Sequence, residues 1–430
     1  MKDTFFKSTI ILLIGGFLTK ILGMIIKIVM TRIVGIEGIA LYMLVFPTFS
    51  LFMTISQLGF PTALSKLIPE DIHNNKKLVL SLIPISLIIN LILIIIIIFI
   101  SPTISKVLND KRTLYPILAI AFVLPFDSIS NILRGYFFGK QRMIPHTLSL
   151  ISEQLVRLTL IIFYIPKILN KGLTFTTTNL IGINMLSEFV SILIMLLFIK
   201  EKTIKKTDLL PNKKKLKNIF EISIPTTASR LIGSVSYFFE PIILTKFLII
   251  NGYTGKYIIK EYGIIEGYII PLLLIPSFLS GAISNALIPD ISKKIIKKDN
   301  INIKKRIKQV IKISLLIGIT TMTILFINPK YFLNLIYNYN NDKYIRLLIP
   351  FFIILYLQYP IENTLQAFNK SKKIMINNLI GTITKLLSII IFSFFRIGLY
   401  NLIISIIINI LITTILDIFA LKKELKNLNL

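Results

Sequence analysis

The chain has 430 residues, of which 54% are hydrophobic and only 16% are charged, and its formal net charge is +29. Soluble domains usually carry about 25% charged residues, and here the apolar residues gather in long uncharged blocks. The absence of cysteine excludes disulfides, thiolate metal sites and cysteine nucleophiles. The composition therefore indicates a protein that lies in a membrane.

Apolar blocks separated by charged or Asn- and Pro-rich breaks predict about twelve transmembrane helices. The block from Leu78 to Ser105 contains no charge, and about 20 helical residues cross a hydrocarbon core of about 30 Å. The first block is longer than the core of a cleavable signal and contains Lys20, so we interpret it as a retained span. The predicted spans lie near 8–31, 40–65, 78–100, 114–138, 146–166, 177–199, 217–245, 262–289, 309–327, 346–368, 374–395 and 399–420.

The positive charge is concentrated in alternate predicted loops, and the richest of these are 200–217 and 293–308. Basic loops mark the cytoplasmic side, so this pattern predicts a multi-pass protein of the cytoplasmic membrane with both termini in the cytoplasm. The same loops suit contacts with anionic lipid head groups. Because the charge follows the topology, we expect no nucleic-acid partner.

The two halves of the chain resemble each other, which predicts a parallel repeat of two six-helix lobes related by a pseudo-two-fold axis. The predicted division is an N-terminal lobe at 1–199, a cytoplasmic basic connector at 200–217 and a C-terminal lobe at 218–430. The matching pairs are Asn131-Ile-Leu-Arg-Gly-Tyr136 with Asn363-Thr-Leu-Gln-Ala-Phe368, and Leu67-Ile-Pro-Glu70 with Leu287-Ile-Pro-Asp290.

Span one carries a stripe of alternating small and cationic residues. Gly16, Lys20, Gly23 and Lys27 are spaced four, three and four apart, which puts them within about 60° of one another on a helix. A charge deep in a span normally faces a cavity or a partner. We therefore expect Lys20 to face a cavity; Lys27 either does so too or extends to the outer surface.

Other ionisable residues fall within or at the ends of spans. Arg134, Arg230 and Lys385 are expected to join Lys20 and Lys27 in contacting an anionic substrate, because cationic side chains bind phosphate groups through charge-assisted hydrogen bonds. Glu153 and Arg157 are four residues apart and form either a structural ion pair or part of the site. Intramembrane acids either pair with these cations or carry a coupling proton; they are Asp127, Glu240, Glu266 and Glu362.

Residues for catalysis or metal binding are few. The two histidines, His73 and His146, fall in predicted loops, and no HExxH, GxSxG or phosphate-loop motif occurs. We expect no metal, no cofactor and no enzymatic activity. A membrane-embedded glycosyltransferase is an alternative, with Glu70 and Asp71 as the one adjacent acidic pair.

A set of motifs resembles the bacterial stage V sporulation protein B family, in collinear order from residue 5 to about 400. The motifs are Thr19-Lys-Ile-Leu-Gly23, Gly35-Ile-Glu-Gly38 with Leu41-Tyr42, Gly59-Phe-Pro-Thr-Ala-Leu-Ser-Lys66, Asp127-Ser-Ile-Ser-Asn-Ile-Leu-Arg-Gly-Tyr136, Glu153-Gln-Leu-Val-Arg157, Ile224-Pro-Thr-Thr-Ala-Ser-Arg230 and Pro350-Phe-Phe-Ile-Ile-Leu-Tyr356. That family belongs to the multidrug, oligosaccharidyl-lipid and polysaccharide exporter (MOP) superfamily, which includes the MATE transporters and the lipid II flippases.

The resemblance implies a MATE-like fold, alternating access and a polyprenyl-pyrophosphate-linked saccharide as substrate. It also implies that Lys20 and Lys27 take the place of the cations that lipid II flippases carry in their first helix. We expect a monomer that contacts membrane lipids and proteins of wall or spore biosynthesis. Two alternatives stay open: a cation-coupled drug exporter of the MATE type, and a non-transporting membrane scaffold for wall or spore assembly.

Overall fold

The computed structural model describes residues 2–70, 75–199, 213–285, 287, 291, 294–295 and 299–427. Every regular element in these residues is a helix, and ten helices are long and apolar enough to cross a membrane. The prediction of an all-α polytopic membrane protein is therefore confirmed. By its internal contacts the chain forms two compact units, Met1–Ile242 (unit 1) and Ile243–Leu430 (unit 2).

Unit 1 contains the first six predicted spans and all but the end of the seventh. Within it, α4 packs against α2, α3 and α7, while α5 packs against α1 and α7. Its helices are α1 (Lys2–Gln57), α2 (Phe60–Glu70), α3 (Asn75–Val107), α4 (Leu114–Gly139), α5 (Met143–Phe163), the short α6 (Ile165–Ile168), α7 (Leu173–Leu197) and the first part of α8 (Lys213–Ile250).

The long helix α1 consists of two arms joined at Gly35. This residue has φ of 71° and ψ of −174°, a conformation that residues with a Cβ rarely adopt and that glycine adopts without strain. The arms on either side of it correspond to the spans predicted near 8–31 and 40–65. A second break, at Leu58 (φ 44°) and Gly59 (φ 61°), separates α1 from α2.

Unit 2 contains the remaining predicted spans. Its helices after α8 are α9 (Gly255–Ile264), α10 (Ile270–Leu274), α11 (Ser277–Asn285), α12 (Asn300–Ile327), α13 (Pro329–Tyr337), α14 (Ile345–Ala367), α15 (Ser371–Ser393) and α16 (Tyr400–Asn427). Within this unit α16 packs against α14 and α15, and α12 packs against α14.

The predicted eighth span is a broken helical run rather than one long helix. A π-helical turn at Ile265–Ile269 links α9 to α10, and α10 ends before Pro276, whose ring removes a backbone donor. This run is not among the ten long helices, and one of those ten contains both arms of α1. Counting the arms separately and adding the broken run gives twelve crossings in the part of the chain that the structure describes, which agrees with the prediction of about twelve.

Several expectations fall partly or wholly outside the described residues. His73, Asp71 and most of the connector at 200–217 lie there, and α8 begins within that connector at Lys213. The division into lobes at the connector stays a prediction, since the two compact units divide at Ile242, within α8. His146 was expected in a loop but lies in the first turn of α5, because that helix begins three residues earlier than the apolar block suggests.

Two glycines let α4 approach α2 closely. A Cβ added to Gly135 would lie 2.7 Å from the Cα and 2.9 Å from the carbonyl oxygen of Pro61, and one added to Gly139 would lie 2.9 Å from the carbonyl oxygen of Leu64. Small residues four apart allow such backbone contact between membrane helices. The Gly135–Gly139 pair therefore fixes the position of Arg134, which lies beside it on α4.

The contact at Gly135 predicts a destabilised Gly135→Ala variant. The added methyl group meets backbone, which cannot move aside, so we expect a loss of about 1–3 kcal/mol in the free energy of unfolding. Thermal unfolding in detergent measures it. The matched control is Gly182→Ala in α7, where a Cβ meets nothing within 4 Å and alanine favours the helix by up to about 1 kcal/mol. Equal melting temperatures for the two variants would contradict the packing assignment.

Candidate functional site

A cavity of about 170 Å³ inside unit 1 is lined by two cationic side chains. Lys27 comes from the first arm of α1 and Arg157 from α5, and the polar side chains of Tyr42, Asn184 and Tyr237 complete the polar part of the wall. The remaining lining residues are Gly23, Ile26, Met30, Met43, Phe46, Ile161 and Leu180. We call this space the inner cavity.

The predicted stripe of span one divides at this cavity. Gly23 and Lys27 line it, whereas Gly16 and Lys20 are exposed on the described surface of the protein and do not. Successive members of the stripe differ in depth by about 5 Å, so one cavity of this size reaches only the two members nearest the Gly35 break. The structure thus places Lys27 in a cavity wall, while a cavity role for Lys20 stays a prediction.

Arg157 is held by Glu153, which also holds a second arginine. The Oε1 atom of Glu153 accepts a hydrogen bond from Arg157 at 2.5 Å, and its Oε2 atom accepts one from Arg134 at 2.8 Å. Arg134 also donates to Glu188 at 3.1 Å and to Ser191 at 2.8 Å. Arg134 is only 8% exposed and Glu153 only 5%, so these charges depend on one another rather than on water.

The network continues from Glu188 through α4 to α1 and α8. Glu188 accepts a hydrogen bond of 2.5 Å from Ser130. Asp127 is buried and accepts hydrogen bonds from Gln57 at 3.0 Å and from Asn131 at 2.9 Å. Gln57 in turn accepts one of 2.8 Å from Arg230.

The charges in direct contact balance, because two arginines face two carboxylates, namely Arg134, Arg157, Glu153 and Glu188. Asp127 is bonded to the neutral side chains of Gln57 and Asn131, and the exposed Arg230 is also bonded to Gln57. An uncompensated buried charge costs several kcal/mol, and a balanced set removes most of that cost. Lys27 adds a further positive charge to the wall of the inner cavity.

The structure separates the predicted substrate contacts. Arg134 is paired with two carboxylates, and its position in the network explains its burial without a substrate. It also lines a second cavity of about 290 Å³ in unit 1, with Asn131, Ser65 and His146 among its polar wall residues. Arg230 is exposed and bonded to Gln57, and Lys385 lies half-buried on α15 of unit 2.

The predicted intramembrane acids also occupy different places. Asp127 and Glu153 belong to the network of unit 1, whereas Glu240 is buried on α8 and Glu266 is half-buried in the π-helical turn. Glu362, on α14 of unit 2, accepts a hydrogen bond from Asn378 at 3.3 Å. The described residues contain no group of three or more His, Cys, Asp or Glu side chains that could hold a metal.

Two buried acids were not singled out from the sequence. Glu188 on α7 is 4% exposed and Asp417 on α16 has no exposed surface. Both are lone acids within strongly apolar blocks, which is the signal that selected Asp127 and Glu240. Selecting every acidic residue within a predicted span would have identified both.

Because the buried carboxylate of Glu153 joins Arg134 and Arg157, we expect Glu153→Gln to be strongly destabilising. The variant leaves Arg157 without its carboxylate and Arg134 with Glu188 alone, and breaking a buried pair costs about 3–5 kcal/mol. The control is Asp342→Asn, which breaks the partly exposed Asp342–Arg346 pair of 2.8 Å, worth about 0–1 kcal/mol. Thermal unfolding in detergent compares them, and equal losses would contradict the bridging role.

Comparison with known proteins agrees with this architecture. The family profile described as "Polysaccharide biosynthesis protein" matches residues 5–295, and the profile described as "MatE" matches residues 266–391. The chain is 36% identical over 397 residues to stage V sporulation protein B of Bacillus subtilis (strain 168), covering 89% of this chain and 77% of that protein. It is 23% identical over 429 residues to lipid II flippase MurJ of the same strain, covering 90% and 77%.

Solved structures show the same fold. An inward-facing multidrug resistance MATE family transporter of the MOP superfamily matches with a TM-score of 0.78 at 17% identity, covering 96% of this chain and 95% of that one. This likeness concerns the fold alone, whereas the sequence matches establish the family. The chain is therefore a MOP-superfamily membrane protein that belongs to the polysaccharide biosynthesis protein family, as a relative of stage V sporulation protein B.

Proposed function

We propose that this protein is a flippase that moves a polyprenyl-pyrophosphate-linked saccharide, a precursor of peptidoglycan or polysaccharide, across the cytoplasmic membrane by alternating access. The observation that carries the proposal is the inner cavity, where Lys27 and Arg157 line one space within the membrane-spanning part of unit 1. Cationic side chains in such a position bind phosphate groups through charge-assisted hydrogen bonds.

The size of the inner cavity limits what it can hold. Its volume of about 170 Å³ corresponds to five or six waters at about 30 Å³ each. Sites for drug-sized ligands are larger, about 300–1,000 Å³. The cavity therefore suits a phosphate or pyrophosphate group, and the saccharide and the lipid tail must lie outside it.

Arg157 can change partners without leaving a charge unpaired. When a phosphate group binds the guanidinium of Arg157, Glu153 still accepts the hydrogen bond of 2.8 Å from Arg134. Arginine binds phosphate and carboxylate in the same bidentate manner, so the exchange replaces one charge-assisted contact by another. This exchange gives the substrate a differential interaction with two arrangements of the lobe, which ligand-driven conformational change requires.

The remaining predicted contacts belong to the same proposal. Lys20, Arg230 and Lys385 are proposed to meet the substrate at other stages of the cycle, and Arg134 to act through Glu153. The proposed orientation has both termini in the cytoplasm, which puts the inner cavity in the outer half of the membrane, because Lys27 precedes the Gly35 break at the end of the first crossing.

A MATE-type exporter of cationic drugs is the second candidate, supported by the MatE match over residues 266–391. An inner cavity lined by Lys27 and Arg157 repels a cationic drug, which favours the lipid-linked substrate. Extrusion of a cationic dye from proteoliposomes, measured beside flipping of a lipid-linked sugar, distinguishes the two.

We expect Lys27→Gln to slow flipping of a fluorescent polyprenyl-pyrophosphate sugar in proteoliposomes. Loss of one charge-assisted hydrogen bond of about 1.5–3 kcal/mol lowers transport about ten- to hundredfold at a subsaturating substrate concentration. The control is Lys167→Gln, which removes an exposed lysine of α6 and leaves the rate unchanged. Lys20→Gln tests the deeper position predicted from the sequence. Wild-type flipping by a correctly folded Lys27→Gln protein would overturn the site.

A further inference from the structure

A second buried polar cluster lies in unit 2, where α16 packs against α14 and α15. Asp417 on α16 and Asn377 on α15 both have no exposed surface. The Nδ2 atom of Asn377 donates a hydrogen bond of 2.7 Å to Oδ1 of Asp417. This pair has no part in the substrate site proposed for unit 1, and Asp417 is not explained by that function.

Close helix packing buries the pair. One helical turn from Asn377 on α15, and one turn from Asp417 on α16, a Cβ added to Gly381 would lie 2.1 Å from Oγ1 of Thr413. The two antiparallel helices therefore touch at Gly381 and Thr413, which leaves little room for water beside the pair. On the α14 side, Gln358 donates to Thr414 at 2.8 Å and ties the third helix to the same stretch of α16.

Two acceptor atoms of this pair have no donor. Within the described residues, Oδ2 of Asp417 and Oδ1 of Asn377 are both buried without a hydrogen-bond partner. An unpaired buried polar group costs about 1–3 kcal/mol, and more when it is charged. A carboxylate in a water-poor site without a cationic partner tends to become neutral instead.

The charged groups around the pair do not supply that cation. On α14, Glu362 is also an acid, and Asn378 donates a hydrogen bond to it. On α15, Lys385 lies about two turns from Asn377, a distance of about 12 Å along the helix, and Lys372 and Lys373 are exposed near its start. On α16, Lys422 and Lys423 are exposed, and Glu424 pairs with Lys370 at 3.1 Å.

We propose that Asp417 is a proton-binding site and that its proton is shared with Asn377. The proton adds to Oδ2 of the Asp417 carboxylate, and the resulting O–H donates to Oδ1 of Asn377. The amide Nδ2 continues to donate to Oδ1 of Asp417. One proton thus satisfies both orphan oxygens and closes the two-bond ring that a carboxylic acid forms with a primary amide.

A proton fits these atoms better than a metal ion does. Hard cations such as Ca²⁺ take about six to eight oxygen ligands, whereas this pair offers two acceptors without donors. The site would release its proton when a rearrangement of α15 and α16 admits water or separates the amide from the carboxyl. Unit 2 would then carry a proton-linked step whatever substrate the protein moves.

Infrared spectroscopy of the purified protein tests this inference without any transport assay. We expect a carboxylic-acid C=O stretching band at neutral pH that disappears as the pH rises. Asp417→Asn removes the band while keeping the shape of the side chain. Glu424→Gln, which alters an ion-paired carboxyl on the same helix, leaves it. A wild-type protein without such a band, or identical bands in the spectra of the wild type and Asp417→Asn, would overturn the proposal.

A second variant keeps the test valid if Asp417→Asn folds poorly. Asn377→Leu removes the acceptor of the proposed O–H group and is expected to shift the same band to higher frequency. An unchanged band position in that variant contradicts sharing of the proton. Loss of the wild-type band on adding Na⁺ at constant pH would identify the site as a metal-cation site instead. None of these outcomes depends on flipping, so the flippase proposal can fail separately.

Discussion

In the hydrocarbon core a charged side chain has no water to solvate it, so each buried charge in this protein requires a partner of opposite sign. Glu153 meets this requirement for two arginines at once, with one carboxylate oxygen on Arg134 and the other on Arg157. The helices α4, α5 and α7 are joined by these contacts and by the Arg134–Glu188 pair. The arrangement of unit 1 around its inner cavity depends on them.

The need to pair buried charges also bears on the proposed function. Because the charges in this network balance, one member can exchange partners without leaving a buried charge uncompensated. Arg157 is the member that lines the inner cavity. In the proposed mechanism, an anion bound there would change the contacts of Glu153 and, through it, of α4. In unit 2, Asp417 and Asn377 leave two acceptors without donors, and a proton rather than an arginine is proposed to restore the balance. In these proposals, buried charge is balanced by ion pairs in unit 1 and by a bound proton in unit 2.

The sequence predicted the helices well because a helix that crosses a membrane needs about 20 apolar residues. Such a block can be recognised in the sequence without knowledge of contacts to distant residues. It placed Glu153 and Arg157 on one helix face, since they are four residues apart, but left open whether they form an ion pair or part of the site. It did not predict the contacts of Arg134, because its carboxylates lie on α5 and α7, 19 and 54 residues away. Helical spacing grouped Lys20 with Lys27 on one face, but it carries no information on how deep a cavity extends.

The proposed mechanism depends most on the competition between Glu153 and an anionic ligand for Arg157. Calorimetric titration with a short-chain polyprenyl pyrophosphate measures it on wild-type protein, Lys27→Gln and the folded fraction of Glu153→Gln. We predict about ten- to hundredfold weaker binding by Lys27→Gln, from the loss of one charge-assisted contact, and binding at least as tight as wild type by Glu153→Gln, where the guanidinium is released. Equal affinities in all three proteins, or loss of binding in Glu153→Gln, would contradict the account.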